Sequence, residues 1–221
     1  MTAVRLFALA SALTLTVPGS ARAQDWMEYT NKADRFSVAF PGEPAVETTT
    51  YRTEYTAVVP SRIYKATAGR QRYSLQVVDY TDIEQIHKER VKSCPKDAHS
   101  ECAGSEGPIG IGSWKFDVLA ALDNATARFL KGEGKITHFT WLVIDRVQGR
   151  QIHLTLPDGS REFVALHMHE GRVYILDAVV GPDEPEPGLF QQSLQFLDDN
   201  GDVIRYYEVY TVGHPPPSRT R

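Results

Sequence analysis

The sequence predicts an α+β fold in which helices pack on a largely antiparallel β-sheet. Roughly eight or nine short apolar runs have the length and alternation of strands. Most consecutive runs are joined by short turns rich in Gly, Asn, Asp or Pro, which favour antiparallel neighbours. Two or three helical segments stand between groups of strands, whereas a doubly wound parallel sheet would need one after nearly every strand.

The first half of the chain is predicted to begin with a strand over residues 36–40, which Pro41 and Gly42 end. Two longer runs are joined at Gly69-Arg70 and predict a hairpin. A helix then begins in the capping-box pattern Thr81-Asp82-Ile83-Glu84. The predicted bounds are residues 61–68 and 71–80 for the hairpin strands and 82–92 for the helix.

The second half is predicted to open with an amphipathic helix and to continue as an antiparallel meander. A turn at Gln148-Gly149 is predicted to separate its first two strands, and Asn200-Gly201 to form a final tight hairpin rather than a calcium loop. The apolar face of the helix is predicted to comprise Leu119, Leu122, Thr126, Phe129 and Leu130. The predicted strands cover residues 135–147, 150–156, 161–169 and 172–180, and a helical turn covers 189–194.

The first 23 residues have the pattern of a secretory signal peptide. Arg5 precedes an apolar run, and Ala21-Arg22-Ala23 has the small-x-small form that signal peptidase cleaves. We therefore expect cleavage between Ala23 and Gln24 and a soluble periplasmic or secreted product without a membrane span, because no apolar run reaches the roughly 20 residues a span requires. The predicted organisation is a signal peptide over residues 1–23, one domain over 24–212 and a disordered tail over 213–221.

Net charge and cysteine content restrict the classes of partner and site that the sequence predicts. Removing the leader with Arg5 and Arg22 changes the net charge from −4 to about −6, which gives no reason to expect nucleic acid as a partner. Cys94 and Cys102 are the only cysteines, and an oxidising compartment predicts that they form a structural disulfide. Their spacing does not suit a redox-active pair, and four zinc ligands are not readily assembled around them.

Two stretches resemble a known family. Phe36-Ser-Val-Ala-Phe40-Pro41 near the start, and Arg172-Val-Tyr174-Ile-Leu176 followed by Phe190-Gln-Gln-Ser193-Leu-Gln-Phe196 near the end, resemble uncharacterised exported bacterial proteins of the PsbP-like superfamily. The resemblance implies an α/β/α sandwich on an antiparallel sheet and a non-catalytic binding or assembly role. It supplies no site residues.

The sharpest candidate for chemistry is His167-Met168-His169-Glu170. Alternate residues of a strand point to the same face, so His167 and His169 could approach one metal ion, with His153 as a third ligand if the strands are neighbours. The alternative is that these imidazoles lie on the solvent face of a sheet edge while Val164, Leu166 and Met168 point into the core.

The sequence thus predicts a non-catalytic binding or assembly-support protein with a protein partner in the cell envelope and no cofactor. The alternative is a metal-dependent hydrolase that uses His167 and His169, with Glu170 as a base. Tyr206, Tyr207 and Tyr210 are an aromatic cluster along a predicted terminal strand, and they either pack in the core or form an edge that accepts a partner. Whether the chain is an enzyme is left open at this point.

Overall fold

A computed structural model describes residues 26–97, 112–212 and 219. The described residues form ten strands and three helices. The strands are β1 (Trp26–Asn31), β2 (Phe36–Pro41), β3 (Ala45–Arg52), β4 (Val58–Ala68), β5 (Gln71–Asp79), β6 (Lys135–Ile144), β7 (Val147–Thr155), β8 (Arg161–His169), β9 (Arg172–Val180) and β10 (Gln195–Phe196). The helices are α1 (Ile83–Lys92), α2 (Ser113–Leu130) and α3 (Gly188–Gln192).

The strands form two antiparallel sheets. The larger has seven strands in the order β3-β4-β5-β9-β8-β7-β6, and the smaller has three in the order β1-β2-β10. Each neighbouring pair is antiparallel. The predicted antiparallel sheet is therefore confirmed.

The larger sheet carries a hydrophobic core on each face. The first core packs the smaller sheet and α3 against it, through Phe36, Phe40, Phe190 and Phe196. The second core packs α1 and α2 against the opposite face, through Ile83, Ala121, Leu122 and Ala125. One outer layer is thus helical, whereas the other is mostly strand with a five-residue helix, so the expected α/β/α sandwich is only roughly matched.

The stretches that carry the family resemblance meet in the first core. Phe36 of β2 pairs with Phe196 of β10 in register, and the rings of Phe40 and Phe190 lie 5.2 Å apart. The hydroxyl oxygen of Ser193 accepts a hydrogen bond from the backbone N–H of Ala39 at 2.8 Å. The motifs therefore mark residues that pack the smaller sheet onto the larger one.

Several elements lie where the sequence predicts them. The β4–β5 hairpin turns at residues 69–70, α1 begins at Ile83, and β8 and β9 have the predicted bounds. Two strands are not among the predicted elements, β1 and β3. Each lies at an edge of its sheet, and both are largely exposed, so they lack the apolar run that identifies buried strands.

The buried face of α2 differs from the predicted one. Leu119 is 52% exposed, whereas Ala121, Leu122, Ala125 and Thr126 are buried against the sheet. Small side chains let the helix approach closely, and this close approach buries Asp117 as well. The predicted face therefore lies partly toward solvent.

Some predictions fall on residues that the structure does not describe. The signal peptide, Cys102 and most of residues 213–221 lie outside the described residues, so the leader, the Cys94–Cys102 disulfide and the disordered tail stay predictions. Arg219 is the one described residue of that tail, and its guanidinium pairs with Glu170. Neither α1, α2 nor α3 has the length and apolar character of a membrane-spanning helix.

Candidate protein-binding surface

Strand β6 is the last strand of the larger sheet and has an open edge among the described residues. Seven of its ten residues in succession are exposed, from Lys135 to Trp141, so neither outer layer covers this part of the strand, whereas Leu142 and Ile144 pack against the first core. Its exposed apolar residues include Phe139 (51%), Trp141 (70%) and Val143 (48%). We call Phe139, Trp141 and Val143 the apolar stripe.

The turn between β6 and β7 is tighter than the sequence suggests. Asp145 and Arg146 have φ values of 47° and 64°, as in the type I′ turns that join two twisted strands. The turn thus lies at residues 145–146 and not at the predicted Gln148-Gly149. Gly149 is instead an interior residue of β7.

Gly149 is required inside β7 because His167 of the neighbouring strand occupies the space of a side chain. A Cβ at position 149 would lie 2.2 Å from the carbonyl oxygen of Leu166 and 2.5 Å from Nδ1 of His167. The imidazole Nδ1 donates a hydrogen bond to the carbonyl oxygen of Val147 at 3.2 Å. His167 thereby holds the start of β7, and with it the hairpin that carries the stripe.

The apolar stripe faces the helical layer. Phe139 pairs with Ile152 and Trp141 with Arg150, and directly paired residues project from the same face of a sheet. Ile152 belongs to the second core, and Arg150 forms an ion pair with Asp123 of α2 at 3.2 Å. The stripe is therefore on the side of the sheet that α2 covers.

A shallow hollow separates the stripe from α2. It has a volume of about 300 Å³, and Leu119, Gln148 and Arg150 are among its lining residues. Gln148 and Arg150 are the pairing partners of Val143 and Trp141. Exposed Leu119 and Phe116 continue the apolar character on α2, so α2, the hollow and the stripe form one face where a protein could bind.

The structure places His167 and His169 in the first core and not on a solvent face. Both side chains are fully buried, because β8 lies inside the sheet and both of its faces are covered. Burial lowers the pKa of His167 to about 4 and that of His169 to about 3, the latter with a smaller contribution from nearby arginines. Both rings are therefore neutral at neutral pH.

The three candidate histidines do not converge. His153 pairs with Phe163, four residues along β8 from His167, which is roughly 13 Å at strand spacing. Nε2 of His169 lies 2.7 Å from the Tyr206 hydroxyl oxygen, and Glu170 binds Arg35 at 2.9 Å. Within residues 26–97, 112–212 and 219, no three His, Cys, Asp or Glu side chains are arranged to hold a metal ion.

The remaining sequence candidates are structural where they are described. Asp198 caps a tight turn, since its Oδ1 accepts hydrogen bonds from the N–H groups of Asn200 and Asp202 at 2.8 and 3.0 Å. Tyr206 is buried beside His169, and the Tyr210 hydroxyl accepts a hydrogen bond from the N–H of Glu170 at 3.1 Å. Tyr207 is exposed. Of the aromatic cluster, two members thus hold the first core.

The sequence predicts β6 as a strand but does not reveal the apolar stripe. Phe139-Thr140-Trp141 alternates as a half-buried strand does, and Trp141–Ile144 is continuously apolar as in a buried strand. The exposure of these residues follows instead from the position of β6 at the end of the sheet. Strand order comes from tertiary pairing between segments far apart in the chain. The one local signal is that Trp141 to Ile144 are all apolar, so both faces of the strand carry apolar residues there, which a strand covered on one face does not require.

Comparisons with known proteins give a distant structural likeness. No family model matches the chain, and no curated protein matches it. Among solved structures, it is similar to the solution structure of cyanobacterial PsbP (CyanoP) from Synechocystis sp. PCC 6803, with 9% sequence identity and a TM-score of 0.42. The match covers 82% of this chain and 98% of that chain. At this distance the likeness carries no argument about activity or partners.

Proposed function

We propose that this chain is an exported, non-catalytic binding or assembly-support protein that holds a protein partner in the cell envelope. In this proposal residues 1–23 are removed between Ala23 and Gln24, and the mature domain has a PsbP-like fold. The pattern of the leader and the two sequence motifs support these assignments. The observation that carries the binding role is the apolar stripe.

Leaving the apolar stripe exposed to water is unfavourable in free energy, and binding of another protein surface would remove this cost. Burying a large apolar side chain contributes about 1.5–3 kcal/mol, and tryptophan is enriched among the residues that dominate the binding energy of protein interfaces. Trp141 lies at the centre of the stripe, with Phe139 and Val143 two residues away on either side. The shallow hollow beside it, lined by Gln148 and Arg150, would supply polar contacts at the rim of such an interface.

The experiment is site-specific photo-crosslinking in the producing cell. A photoreactive residue at position 141 is expected to give a discrete adduct with an envelope protein. The matched control is position 46, because Val46 is also an exposed apolar residue of an edge strand of the same sheet. Adducts whose mass is a multiple of the chain itself are scored separately, since they report self-association.

A second pair of variants tests whether the stripe contributes energy. Trp141→Glu is expected to weaken binding of the crosslinked protein at least thirtyfold, whereas Val46→Glu leaves it within about twofold. Equal crosslinking from positions 141 and 46, or unchanged binding by Trp141→Glu, would overturn the proposal. Elemental analysis of the purified mature chain separates it from the metal-dependent hydrolase, which requires about one bound ion per chain.

A further inference from the structure

The edge of β6 offers main-chain groups as well as side chains. In a two-residue hairpin the residues that flank the turn form a hydrogen-bonded pair, and hydrogen-bonded and non-hydrogen-bonded pairs alternate along the strands. Ile144 pairs with Val147 beside the turn, so the even-numbered residues Leu142 and Thr140 direct their N–H and C=O groups to β7. The N–H and C=O groups of Phe139, Trp141 and Val143 therefore point to the open edge.

Among the described residues, this edge lacks most of the usual protection against strand pairing, since its one register shift lies near the start of the strand, between Ile136 and His138. Natural edge strands carry charged residues or proline, or are covered by another segment. From Ile136 to Ile144 the strand has no Asp, Glu, Lys, Arg or Pro. At the opposite edge of the sheet, β3 carries Glu47 and Arg52, and Glu47 is paired with Lys65.

The edge is complementary to itself. If two copies of β6 run antiparallel about a two-fold axis at Thr140, Phe139 of each copy lies directly opposite Trp141 of the other. Both residues direct their main-chain groups outward, so these pairs are hydrogen-bonded. They also form two cross-strand aromatic pairs, which stabilise a sheet, and Lys135 of each copy lies at the far end of the interface and away from its counterpart.

We propose that two copies of this protein pair through β6 about a two-fold axis at Thr140, joining their seven-stranded sheets into one. A second copy fits this edge because no Asp, Glu, Lys or Arg lies between Ile136 and Ile144 to repel its counterpart, and the aromatic residues of the two copies face each other at the centre. Pairing at the edge through main-chain hydrogen bonds leaves the apolar stripe of each copy exposed. The two apolar stripes then become one continuous surface, so the dimer is compatible with the proposed partner but does not depend on it.

Cysteine crosslinking of the purified mature chain tests the register. Thr140 is expected to face its own counterpart as a non-hydrogen-bonded pair, a geometry in which the Cβ atoms lie roughly 4.5–5.5 Å apart, close to disulfide range. Thr140→Cys should give a reducible dimer at least tenfold faster than Thr48→Cys. Thr48 is the matched control, since it is an exposed threonine of the other edge strand, and the wild-type chain gives the background from Cys94 and Cys102.

Sedimentation of the unmodified chain over a range of concentrations tests the association itself. The wild type is expected to be a dimer that Trp141→Lys weakens at least tenfold and Val46→Lys leaves unchanged. A wild type that is monomeric at 100 μM, or a dimer that Trp141→Lys does not weaken, overturns the proposal. So does crosslinking no faster at position 140 than at position 48, which would assign the edge to a strand of another protein or leave it unpaired. Neither measurement involves the envelope partner, so the two proposals fail separately.

Discussion

At the scale of single residues, Gly149 in the β6–β7 hairpin has no room for a side chain. A methyl group there meets the Leu166 carbonyl oxygen and the His167 ring at well under contact distance. We expect Gly149→Ala to lower the free energy of unfolding by about 2–3 kcal/mol, as overpacking of a buried site does. Urea denaturation measures this loss.

The control is Gly188→Ala, because a Cβ at Gly188 meets nothing within 4 Å and alanine favours the helix that begins there. We expect this variant to change stability by less than about 0.5 kcal/mol. Equal losses in the two variants would show that the contact with His167 is not the cause.

Single residues also show where the sequence stops being informative. Gly149 is in a Gln-Gly dipeptide that is typical of a turn, yet its lack of a side chain serves a ring from a different strand. The His-x-His spacing of His167 and His169 correctly predicts that both lie on one face of β8. It does not indicate whether that face is exposed to solvent. That depends on the strands and layers that cover β8, which no local pattern specifies.

At the scale of elements, α1 is held to the domain through a buried carboxylate of α2. Asp117 is fully buried, and its oxygens accept hydrogen bonds from the Thr53 hydroxyl and the Tyr55 N–H, each at 2.8 Å. Nε2 of His87 lies 2.7 Å from Oδ2 of Asp117. Because Ile83 and His87 are the buried residues of α1, this carboxylate is a large part of what fixes the helix.

We expect Asp117→Ala to lower the free energy of unfolding by about 3 kcal/mol, since it leaves several buried donors without an acceptor. Hydrogen exchange should quicken in α1 before it quickens in the central strands β8 and β9. Asp123→Ala on the exposed side of the same helix is the control and should cost less than about 1 kcal/mol. Uniform acceleration over the whole domain would contradict the local role of Asp117.

The elements were largely predictable because periodicity and turn chemistry are local. The β4–β5 hairpin, α1 and the β8–β9 hairpin follow from alternation and from glycine at the turns. Strands β1 and β3 could not be predicted in this way, since an exposed edge strand needs no apolar face. The position of β6 at the end of the sheet, on which the binding surface depends, is a property of pairing order and is absent from any single segment.

At the scale of the whole molecule, buried groups of opposite kind set how stability depends on pH. The pKa values of His167 and His169 are lowered by burial to about 4 and 3, so the stability they contribute is present above pH 6.5 and is lost as the pH falls toward those values. Burial and the neighbouring Glu162 raise the pKa of Asp177 to about 7. Its contribution has the opposite sign and is lost as the pH rises toward 7.

Between pH 4.5 and 6.5 the effect of the two histidines on the pH dependence of stability is therefore larger than the opposite effect of the Asp177 carboxyl. Near pH 5 the unfolded chain binds about one proton more than the folded chain from these three groups, so we expect the free energy of unfolding to rise there by about 1.2 kcal/mol per pH unit, and to level off toward pH 6.5 as the unfolded imidazoles lose their protons. Chemical denaturation at several pH values measures the slope. A flat profile, or one that falls with pH, would contradict the assignment of neutral imidazoles in the first core.

Asp177→Asn separates the two contributions. Asparagine removes the carboxyl that opposes the histidines, so the slope between pH 4.5 and 6.5 should steepen to roughly twice the wild-type value. The variant should also gain stability relative to the wild type at pH 8, where the wild type buries an ionised carboxylate beside Glu162 in a cavity of about 440 Å³ that Arg72 also lines. The exposed Asp183→Asn, which removes one carboxylate without touching that cavity, should reproduce neither change. If Asp183→Asn steepens the slope equally, the effect comes from the net charge of the chain and not from the buried site.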